Sequence, residues 1–363
     1  MTESHKFDLS VVGELNLDLV LYGLPVELEL DHEHLASDLR LTLGSSSAIF
    51  AHNFALLGNR VGFNSAIGQD ALGGLSLSRL AESGADVSAV REFSGKQTGL
   101  TVILPRSDQR YILTYPGVMA EMRFEDLDLD HVLSASHLHL SSFFLQRALR
   151  PRVAELFRLA KQGGLSTSFD TNDDPENRWD RDVLEALKWV DVLLPNESEI
   201  CRLARREDPL TALAVLAESV PIVVMKRGEK GAVASRGGQV FTDAPQKTEP
   251  VDTIGAGDSF DAGFLHQFIR GAALEDCLRF GNLAGALSTT RQGGTEAFRD
   301  AAHRTSFLGR CPPKGVLVCF LGSFQKQISL EIRRQFCCRA FHRSVFSVVD
   351  VIDDAIRFCL QAP

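Results

Sequence analysis

The run from Asp252 to Phe264, with the sequence DTIGAGDSFDAGF, places two glycines and an acid where an extended segment changes to a helix. Apolar residues recur at helical spacing from Phe260 onward, which places Gly255 and Gly257 at the helix N-terminus. The first amides of a helix have no internal acceptor, and the aligned peptide dipoles make that end partly positive. The run therefore predicts an anion site, with glycines that let phosphate oxygens approach the backbone.

Asp258 falls inside the first turn of this helix, where its charge would oppose a phosphate that merely rested there. A carboxylate at this position can instead act as a general base that takes the proton of an attacking hydroxyl in phosphoryl transfer. The amides of residues 255–258 would then hold the charge of the transferring group. The alternative is purely structural, with Asp258 favouring the helix dipole and the glycines forming a tight turn.

The composition is that of an ordinary soluble enzyme, with 363 residues, of which 44% are hydrophobic and 23% charged. One large α/β domain with appendages is the expected layout. The net charge of −9 argues against a general nucleic-acid surface, which needs a concentrated basic face. The sequence has no signal-peptide core and no apolar run of the roughly 20 residues that span a membrane, so we expect a cytoplasmic protein without membrane contact.

Buried strands alternate with helices along most of the chain. Strands that precede helices are predicted at His137–Leu140, Leu165–Asp170, Val190–Leu194 and Ile222–Lys226, and an earlier one at Leu9–Gly13. This rhythm predicts a parallel sheet covered by helices on both faces, most simply a doubly wound sheet. Residues 15–43 and 96–117 contain β-rich runs without strong helical periodicity, so we expect them to form a small β lid.

Polar residues follow several of these strands, at the edge where a doubly wound sheet binds ligands. Asp18 lies just after the first strand, although a turn or cap aspartate would have the same position. Asn172 follows a later strand. Asn196 and Glu199 follow the next one in an N-x-x-E pattern, which is also a variant of the structural capping box. The loop RGEKG, which follows Lys226, is a further candidate for ligand binding. A charged surface hairpin turn is the competing interpretation.

The order of these motifs resembles the ribokinase-like, or PfkB, family of carbohydrate kinases over residues 7 to about 310. The 252–264 run resembles the C-terminal signature of that family. The segment from Gly44 to Gly58 resembles its first signature, a glycine pair before a helix of small residues. The resemblance implies an α/β fold of the ribokinase-like type, a doubly wound, mostly parallel sheet with a small β lid.

The resemblance also implies roles for the residues at matching positions. Asp258 would be the catalytic base, and the turn formed by Gly255, Ala256 and Gly257 would be the anion hole. The residues expected to bind the sugar are Asp18, Gly44, Ser45 and Asn172. Those expected on the nucleotide side are Asn196, Lys226, Gly228 and Asn282. Glu199 and Asn196 would hold magnesium through water, and Asp252 would lie in the region of a monovalent cation.

The implied reaction is transfer of phosphate from ATP, with Mg²⁺, to a hydroxyl of a small sugar. The resemblance leaves open a monovalent cation such as K⁺ and a homodimer formed through the lid. Ser45 replaces the second glycine of the first signature, and Ile49 replaces an asparagine that binds sugar in the family. Asp174 stands where some sugar-acid kinases carry arginine, which disfavours an anionic sugar acid, so we expect a neutral sugar.

Two other functions fit the same motifs. A nucleoside kinase of this fold could use Ile49 and Phe50 in an apolar base pocket. A sugar-sensing pseudokinase would keep the fold without catalysis, although the presence of Asp258 and of the Asn196 and Glu199 pair argues against it. Turnover of ATP separates the pseudokinase from the two enzymes.

Residues 311–363 differ in composition from the rest of the chain. They contain seven Lys or Arg against four Asp or Glu, and they hold five of the seven cysteines. The cysteine spacing predicts neither a metal site nor a disulfide framework. We expect a kinase domain at residues 1–310 and an atypical C-terminal extension at 311–363 that takes no part in catalysis.

Overall fold

The computed structural model describes residues 5–106 and 109–309. Its strands are β1 Leu9–Val12, β2 Leu17–Tyr22, β3 Asp38–Leu43, β4 Val61–Gly68, β5 Asp86–Phe93, β6 Leu100–Arg106, β7 Gln109–Tyr115, β8 His137–Leu140, β9 Ser166–Phe169, β10 Val192–Leu193, β11 Ile222–Lys226, β12 Ala232–Arg236 and β13 Gln239–Asp243. Its helices are α1 Ser46–Leu56, α2 Ala71–Ala81, α3 Leu129–Leu133, α4 Val153–Gln162, α5 Arg181–Leu187, α6 Glu197–Ala204, α7 Pro209–Leu216, α8 Ala256–Phe268, α9 Leu274–Ser288, α10 Glu296–Arg299 and α11 Ala301–Leu308.

Nine of these strands form one sheet in the order β13-β12-β11-β10-β9-β8-β1-β4-β5. Neighbouring strands from β5 to β11 in this order are parallel, whereas β12 and β13 add an antiparallel edge. The chain starts in the interior of the sheet at β1 and proceeds outward in both directions. The predicted doubly wound, mostly parallel sheet is therefore confirmed, and its crossover helices cover both faces.

Alternate residues of the sheet supply two separate apolar cores. In β11, Val223 and Met225 pack in a core with α4, α5 and α7, whereas Ile222 and Val224 pack on the opposite face with α1, α8 and α9. Side chains of a strand point alternately to its two faces, so a strand buried on both sides is continuously apolar. The run IVVM of β11 has this composition.

The remaining four strands form a second sheet, the lid, in the order β3-β2-β6-β7. The predicted lid segments, 15–43 and 96–117, contain all four of these strands. One face of the lid carries Asp18, Val20 and Tyr22 toward the main body, and Val20 packs with Ile103 and Ile254. The opposite face carries large apolar residues that remain more than half exposed, namely Leu39 (53%), Tyr111 (56%), Leu113 (56%) and Tyr115 (54%).

The elements predicted from the sequence agree with the structure to within about three residues at their ends. The loop predicted between β6 and β7 includes residues 107–108, which lie outside the described residues, as does the extension predicted at 311–363. Among the helices that the structure describes, none combines the length and the apolar character that a membrane crossing requires.

Candidate active site

Helix α8 begins at Ala256, and Gly255 caps it with φ 71° and ψ 8°. This left-handed conformation favours glycine. A Cβ added to Gly255 would also lie 2.6 Å from Cα of Gly294, so no larger residue fits. The hydroxyl of Ser259 donates to the Gly255 carbonyl at 2.7 Å, which fixes the turn from inside the helix. The 255–258 turn therefore presents the first amides of α8 at the carboxyl edge of the sheet, the arrangement that binds an anion.

The carboxylate of Asp258 belongs to the first turn of α8. Burial and the nearby charge of Asp170 raise the pKa of Asp258 to about 6, although Lys226 and Ser46 act in the opposite direction. A base with this pKa is ionised at neutral pH and remains able to take a proton. The predicted base therefore has a local environment that suits proton transfer.

Asp18 faces the same region from β2 and is only 5% exposed. Burial raises the pKa of Asp18 to about 7, with a further contribution from the charge of Asp258, while Arg110 opposes the shift. A Cβ at position 44 would lie 2.1 Å from Oδ1 of Asp18, so the carboxylate needs the glycine beside it. Asp18, Gly44 and Asp258 are thus brought together as the sequence predicts.

Ser45 has φ 67°, a conformation that L-residues rarely adopt, and this explains why a glycine would be usual at this position. Its hydroxyl donates to Oδ1 of Asn16 at 2.7 Å and accepts from the Asn16 backbone amide at 2.9 Å. These two hydrogen bonds offset a backbone strain that costs about 1–3 kcal/mol. In the structure, Ser45 therefore orients the loop before α1.

Asn172 also has a left-handed backbone, with φ 54°. Its Oδ1 accepts from the amide of Ser142 at 2.7 Å, and its Nδ2 donates to the hydroxyl of Ser46 at 3.1 Å. Ser46 is also one of the groups that lower the pKa of Asp258, so its hydroxyl lies near both Asn172 and the predicted base. Nothing in the sequence pointed to this position of Ser46.

Ile49 does not face an open pocket. It is 3% exposed, and the ideal Cβ positions of Gly255 and Gly294 would lie 3.1 and 2.7 Å from its side chain. Phe50 is 1% exposed and stacks on His139 with ring centroids 4.0 Å apart. Both side chains are therefore used in packing, and the nucleoside kinase stays an alternative prediction.

Lys226 ends β11 with its ammonium buried beneath the 255–258 turn. Its Nζ donates to Oδ2 of Asp170 at 2.7 Å and to Oδ2 of Asp261 at 3.0 Å. Burial opposes the charge, but these two carboxylates outweigh it and raise the pKa of Lys226. An ideal Cβ on Gly257 would lie 3.6 Å from this ammonium. Two of the three donors of this ammonium engage carboxylates, and contact of Lys226 with a nucleotide stays a prediction.

The pKa values of the two carboxylates around Lys226 shift in opposite directions. Burial raises the pKa of Asp261 well above its usual value. Burial acts in the same direction on Asp170, but Lys226 and hydrogen bonds lower the pKa of Asp170. The charge of Asp170 acts together with burial to raise the pKa of Asp261. The sequence placed Asp170 at a strand end, but nothing in it indicated the pairing with Asp261.

Asn196 and Glu199 form the capping box of α6. Oδ1 of Asn196 accepts from the amide of Glu199 at 2.9 Å, and the Glu199 carboxylate accepts from the Asn196 backbone amide at 2.8 Å and from its Nδ2 at 2.6 Å. Burial, followed by the charge of Asp170, raises the pKa of Glu199 to about 8. The structural interpretation of this motif is therefore correct, whereas its functional one stays a prediction.

This pair also fits a magnesium ion held through water. The described residues contain no cluster of three or more His, Cys, Asp or Glu side chains that could bind a metal directly. Mg²⁺ usually retains several waters and is bound by one or two carboxylates together with substrate phosphates. The Glu199 oxygens keep lone pairs that can accept from such waters, and a dication nearby would favour the ionised carboxylate.

The remaining residues that the sequence predicts on the nucleotide side are Gly228 and Asn282, which follow β11 in the chain. Gly228 has φ 54°, and an ideal Cβ there would meet no atom within 4 Å, so its backbone is open. Arg227 donates to Glu197 at 2.8 Å across the loop. Asn282 donates its amide to Oδ2 of Asp243 at 2.7 Å, which fixes the end of β13. Adenine contact by Asn282 stays a prediction.

Asp252 accepts three hydrogen bonds in the described structure. Its Oδ1 accepts from the amide of Ile254 at 3.0 Å, and its Oδ2 accepts from the amide of Gly293 at 3.0 Å and from the hydroxyl of Tyr22 at 2.6 Å. The carboxylate is therefore already used in holding three segments together. A monovalent cation in this region stays a prediction.

Comparison with known proteins places the chain in a family. The family model described as pfkB family carbohydrate kinase matches residues 6–301. An ATP-dependent ribose-1-phosphate kinase from Halopiger xanaduensis is 31% identical over 290 residues, covering 78% of this chain and 93% of the relative. A 5-dehydro-2-deoxygluconokinase from Lacticaseibacillus casei is 27% identical over 330 residues, covering 86% of this chain and 98% of the relative.

A solved structure has the same fold. Ribokinase from Arabidopsis thaliana, in complex with ribose and ATP, superposes with a TM-score of 0.70 at 26% identity, covering 83% of this chain and 98% of that one. The fold, the family match and the 255–258 turn with Asp258 agree with one another. The chain therefore belongs to the pfkB family and is a carbohydrate kinase of the ribokinase-like fold.

Proposed function

We propose that this kinase transfers the γ-phosphoryl group of ATP to a hydroxyl of a small neutral sugar, with Asp258 as the general base. The observation that carries the proposal is the placement of Asp258 in the first turn of α8, in electrostatic contact with Asp18. One carboxylate can orient the sugar while the other receives a proton. The relatives support ATP as donor, since one is named an ATP-dependent kinase and another was solved with ATP.

In the proposed reaction, Asp18 accepts hydrogen bonds from sugar hydroxyls that are not phosphorylated. Asp258 accepts the proton of the reacting hydroxyl as its oxygen forms a bond to the γ-phosphorus and the bond to the bridging oxygen of ADP breaks. The amides of residues 255–258 stabilise the charge on the transferring group. The proton on Asp258 passes to solvent after the sugar phosphate leaves.

The nucleotide would lie on the side of Asn196, Gly228 and Asn282, with the open backbone of Gly228 available to it. Magnesium, when bound, neutralises phosphate charge and orients the β- and γ-phosphates. Glu199 and Asn196 would hold its waters. Lys226 supports this region from below through its pairs with Asp170 and Asp261. We also propose that the kinase domain ends near residue 310 and that residues 311–363 have no catalytic part.

A neutral acceptor is favoured by the negative charges that surround the site. Glu14, Asp18 and Asp258 act on one another electrostatically, and all three have a raised pKa. Asp174 is buried and accepts the amides of Arg178 at 2.6 Å and Trp179 at 2.9 Å, so it caps its own loop. A carboxylate or phosphate close to the reacting hydroxyl would meet repulsion from these groups.

The central test is ADP release with a panel of free sugars, sugar phosphates and nucleosides. We expect turnover with a free sugar and a decrease of about 100-fold or more in Asp258→Asn, the usual scale for loss of a general base. Nucleotide binding, measured by calorimetry, should not change, because the fold and the turn amides are retained. Near-normal turnover in this variant would remove Asp258 from the mechanism.

The pH profile gives the same prediction a second readout. The pKa values of Asp258, about 6, and Asp18, about 7, are raised, and both groups act as carboxylates. The wild-type kcat/KM for the sugar should therefore be full at about pH 8 and higher, and should decrease as the pH falls through 7 and then 6. A profile that stays flat down to pH 5 would contradict these roles.

Glu199→Gln should raise the Mg²⁺ concentration for half-maximal rate by roughly tenfold, the scale for loss of a group that supports a metal through its ligands. Glutamine keeps one acceptor for the capping box but sets its amide nitrogen against one of the two Asn196 donors, so the melting temperature should decrease modestly. Glu197→Gln is the matched control, because Glu197 lies on the same helix and pairs with Arg227. A lower melting temperature with an unchanged Mg²⁺ titration would leave Glu199 as a cap alone.

Asp18→Ala should raise the KM for the sugar by about 10-fold or more, since a hydrogen bond to a charged group is lost, and should leave the KM for ATP nearly unchanged. Asp38→Ala is the control. Asp38 lies on the same lid sheet but pairs with Arg40. Steady-state kinetics with each substrate varied in turn separate the two effects. Equal losses for both ligands would indicate structural damage.

We also propose that the chain forms a homodimer through the exposed apolar face of the lid. Tyr111, Leu113 and Tyr115 are each more than half exposed on β7, beside Leu39 on β3. A contiguous exposed apolar face of this kind is typical of a protein interface. A second copy of the lid offers a self-complementary surface.

Leu113→Asp should convert the dimer to a monomer in sedimentation velocity, because a charge would be buried in the interface. Leu210→Asp is the control, since Leu210 is 54% exposed on α7, close to the 56% of Leu113, but lies away from the lid. A wild-type protein that sediments as a monomer at micromolar concentration would exclude this proposal.

A further inference from the structure

The lid contacts the segment that leads into the 255–258 turn at three consecutive residues. The hydroxyl of Tyr22 donates to Oδ2 of Asp252 at 2.6 Å, although the two residues are 230 positions apart. Nη1 of Arg110 donates to Oγ1 of Thr253 at 3.4 Å. Ile254 packs with residues of β2 and β6. Of these contacts, the Tyr22 hydrogen bond is the shortest and involves a charged acceptor.

Asp252 transmits this contact to the turn. Its carboxylate also accepts the amides of Ile254 and Gly293, both at 3.0 Å. Gly293 precedes Gly294, whose Cα would lie 2.6 Å from a Cβ on Gly255. The Asp252 side chain therefore fixes the spacing between the 293–294 segment and the start of α8, and Tyr22 is the lid donor that completes its hydrogen bonds.

We propose that Tyr22 is a positioning residue that couples the lid to the anion hole. This proposal rests on the proposed function, in which the 255–258 turn holds the transferring group. With the lid over the acceptor, the Tyr22 hydroxyl orients Asp252, and Asp252 orders the turn. When the lid moves away, the turn loses this constraint, so transfer is efficient only while the acceptor is enclosed.

The chemistry of Tyr22 suits a permanent donor. Tyr22 is half-buried, and burial together with the hydrogen bond to Asp252 raises the pKa of the Tyr22 phenol. The hydroxyl therefore stays protonated at physiological pH and donates to the carboxylate. Hydrogen bonds with an ionised partner are stronger than neutral ones, and the loss of one leaves a partly buried carboxylate with an empty acceptor position.

The test compares Tyr22→Phe with Tyr115→Phe. Tyr115 lies in the same lid sheet, and its hydroxyl donates to Gln97 at 3.0 Å, away from Asp252. With the free sugar that the wild-type enzyme uses best, Tyr22→Phe should lower kcat roughly tenfold, the scale for loss of a hydrogen bond to a charged group. The KM for ATP should not change, and the ratio of ADP to sugar phosphate should exceed one. Tyr115→Phe should match the wild type.

A second readout does not require an acceptor. Amide hydrogen exchange of the peptide that covers residues 252–260, in the protein without ligands, should be faster in Tyr22→Phe and unchanged in Tyr115→Phe. If no sugar is turned over by the wild type, the proposed function fails, whereas the exchange experiment still decides the coupling. Unchanged exchange in Tyr22→Phe would overturn the inference.

A double-mutant cycle identifies the route of the effect. If Tyr22 acts through Asp252, Tyr22→Phe should add less than twofold to the kcat loss of Asp252→Ala, because their shared interaction is already absent. Additive losses would show that Tyr22 acts elsewhere and would overturn the assignment. A uniform increase of exchange throughout the lid and the main sheet would likewise overturn it, as a sign of general destabilisation.

Discussion

The ammonium of Lys226 is buried between Asp170 and Asp261, at 2.7 and 3.0 Å from their oxygens. The three residues belong to β11, the end of β9 and α8, so the pairs connect the sheet to the helix that carries the 255–258 turn. Removing one partner of a buried ion pair typically costs about 3–5 kcal/mol, because a charge is left without compensation. The position of the turn above the sheet therefore depends on this interaction as well as on the left-handed conformation of Gly255.

The buried charges of the site also determine the pH range in which Asp258 and Asp18 are ionised. Asp258 and Asp18 would both be mostly ionised in water at about pH 5. Burial and the charge of Asp170 move the pKa of Asp258 to about 6, and burial and the charge of Asp258 move that of Asp18 to about 7. Lys226 and the hydroxyl of Ser46 limit this shift at Asp258. A carboxylate that is too acidic accepts protons poorly, and one that is too basic is protonated in the cell. The site therefore combines repulsion and compensation to keep a base available near neutrality.

Sequence reasoning predicted the sheet, the lid and the 255–258 turn because each has a local signal, such as the apolar strand run, the β-rich segment or the paired glycines. It could not predict that Asp261 meets Lys226 or that Tyr22 meets Asp252, because these partners are distant in the chain and their pairing depends on the packed fold. The Asn196 and Glu199 motif shows a different limit of prediction from the sequence. A capping box and a metal-supporting pair use the same residues, and the structure contains the box without excluding the second role.

Ile49 packs against Gly255 and Gly294. This packing links the choice of acceptor to the geometry of the 255–258 turn. In relatives, the residue at this position is expected to help choose the sugar, whereas here its side chain fills the space beneath the catalytic turn. A mutation that restored a polar amide would place an unsatisfied group against two glycines and would loosen the turn as well as alter the pocket. A change of acceptor preference through position 49 would therefore also change the geometry of the 255–258 turn.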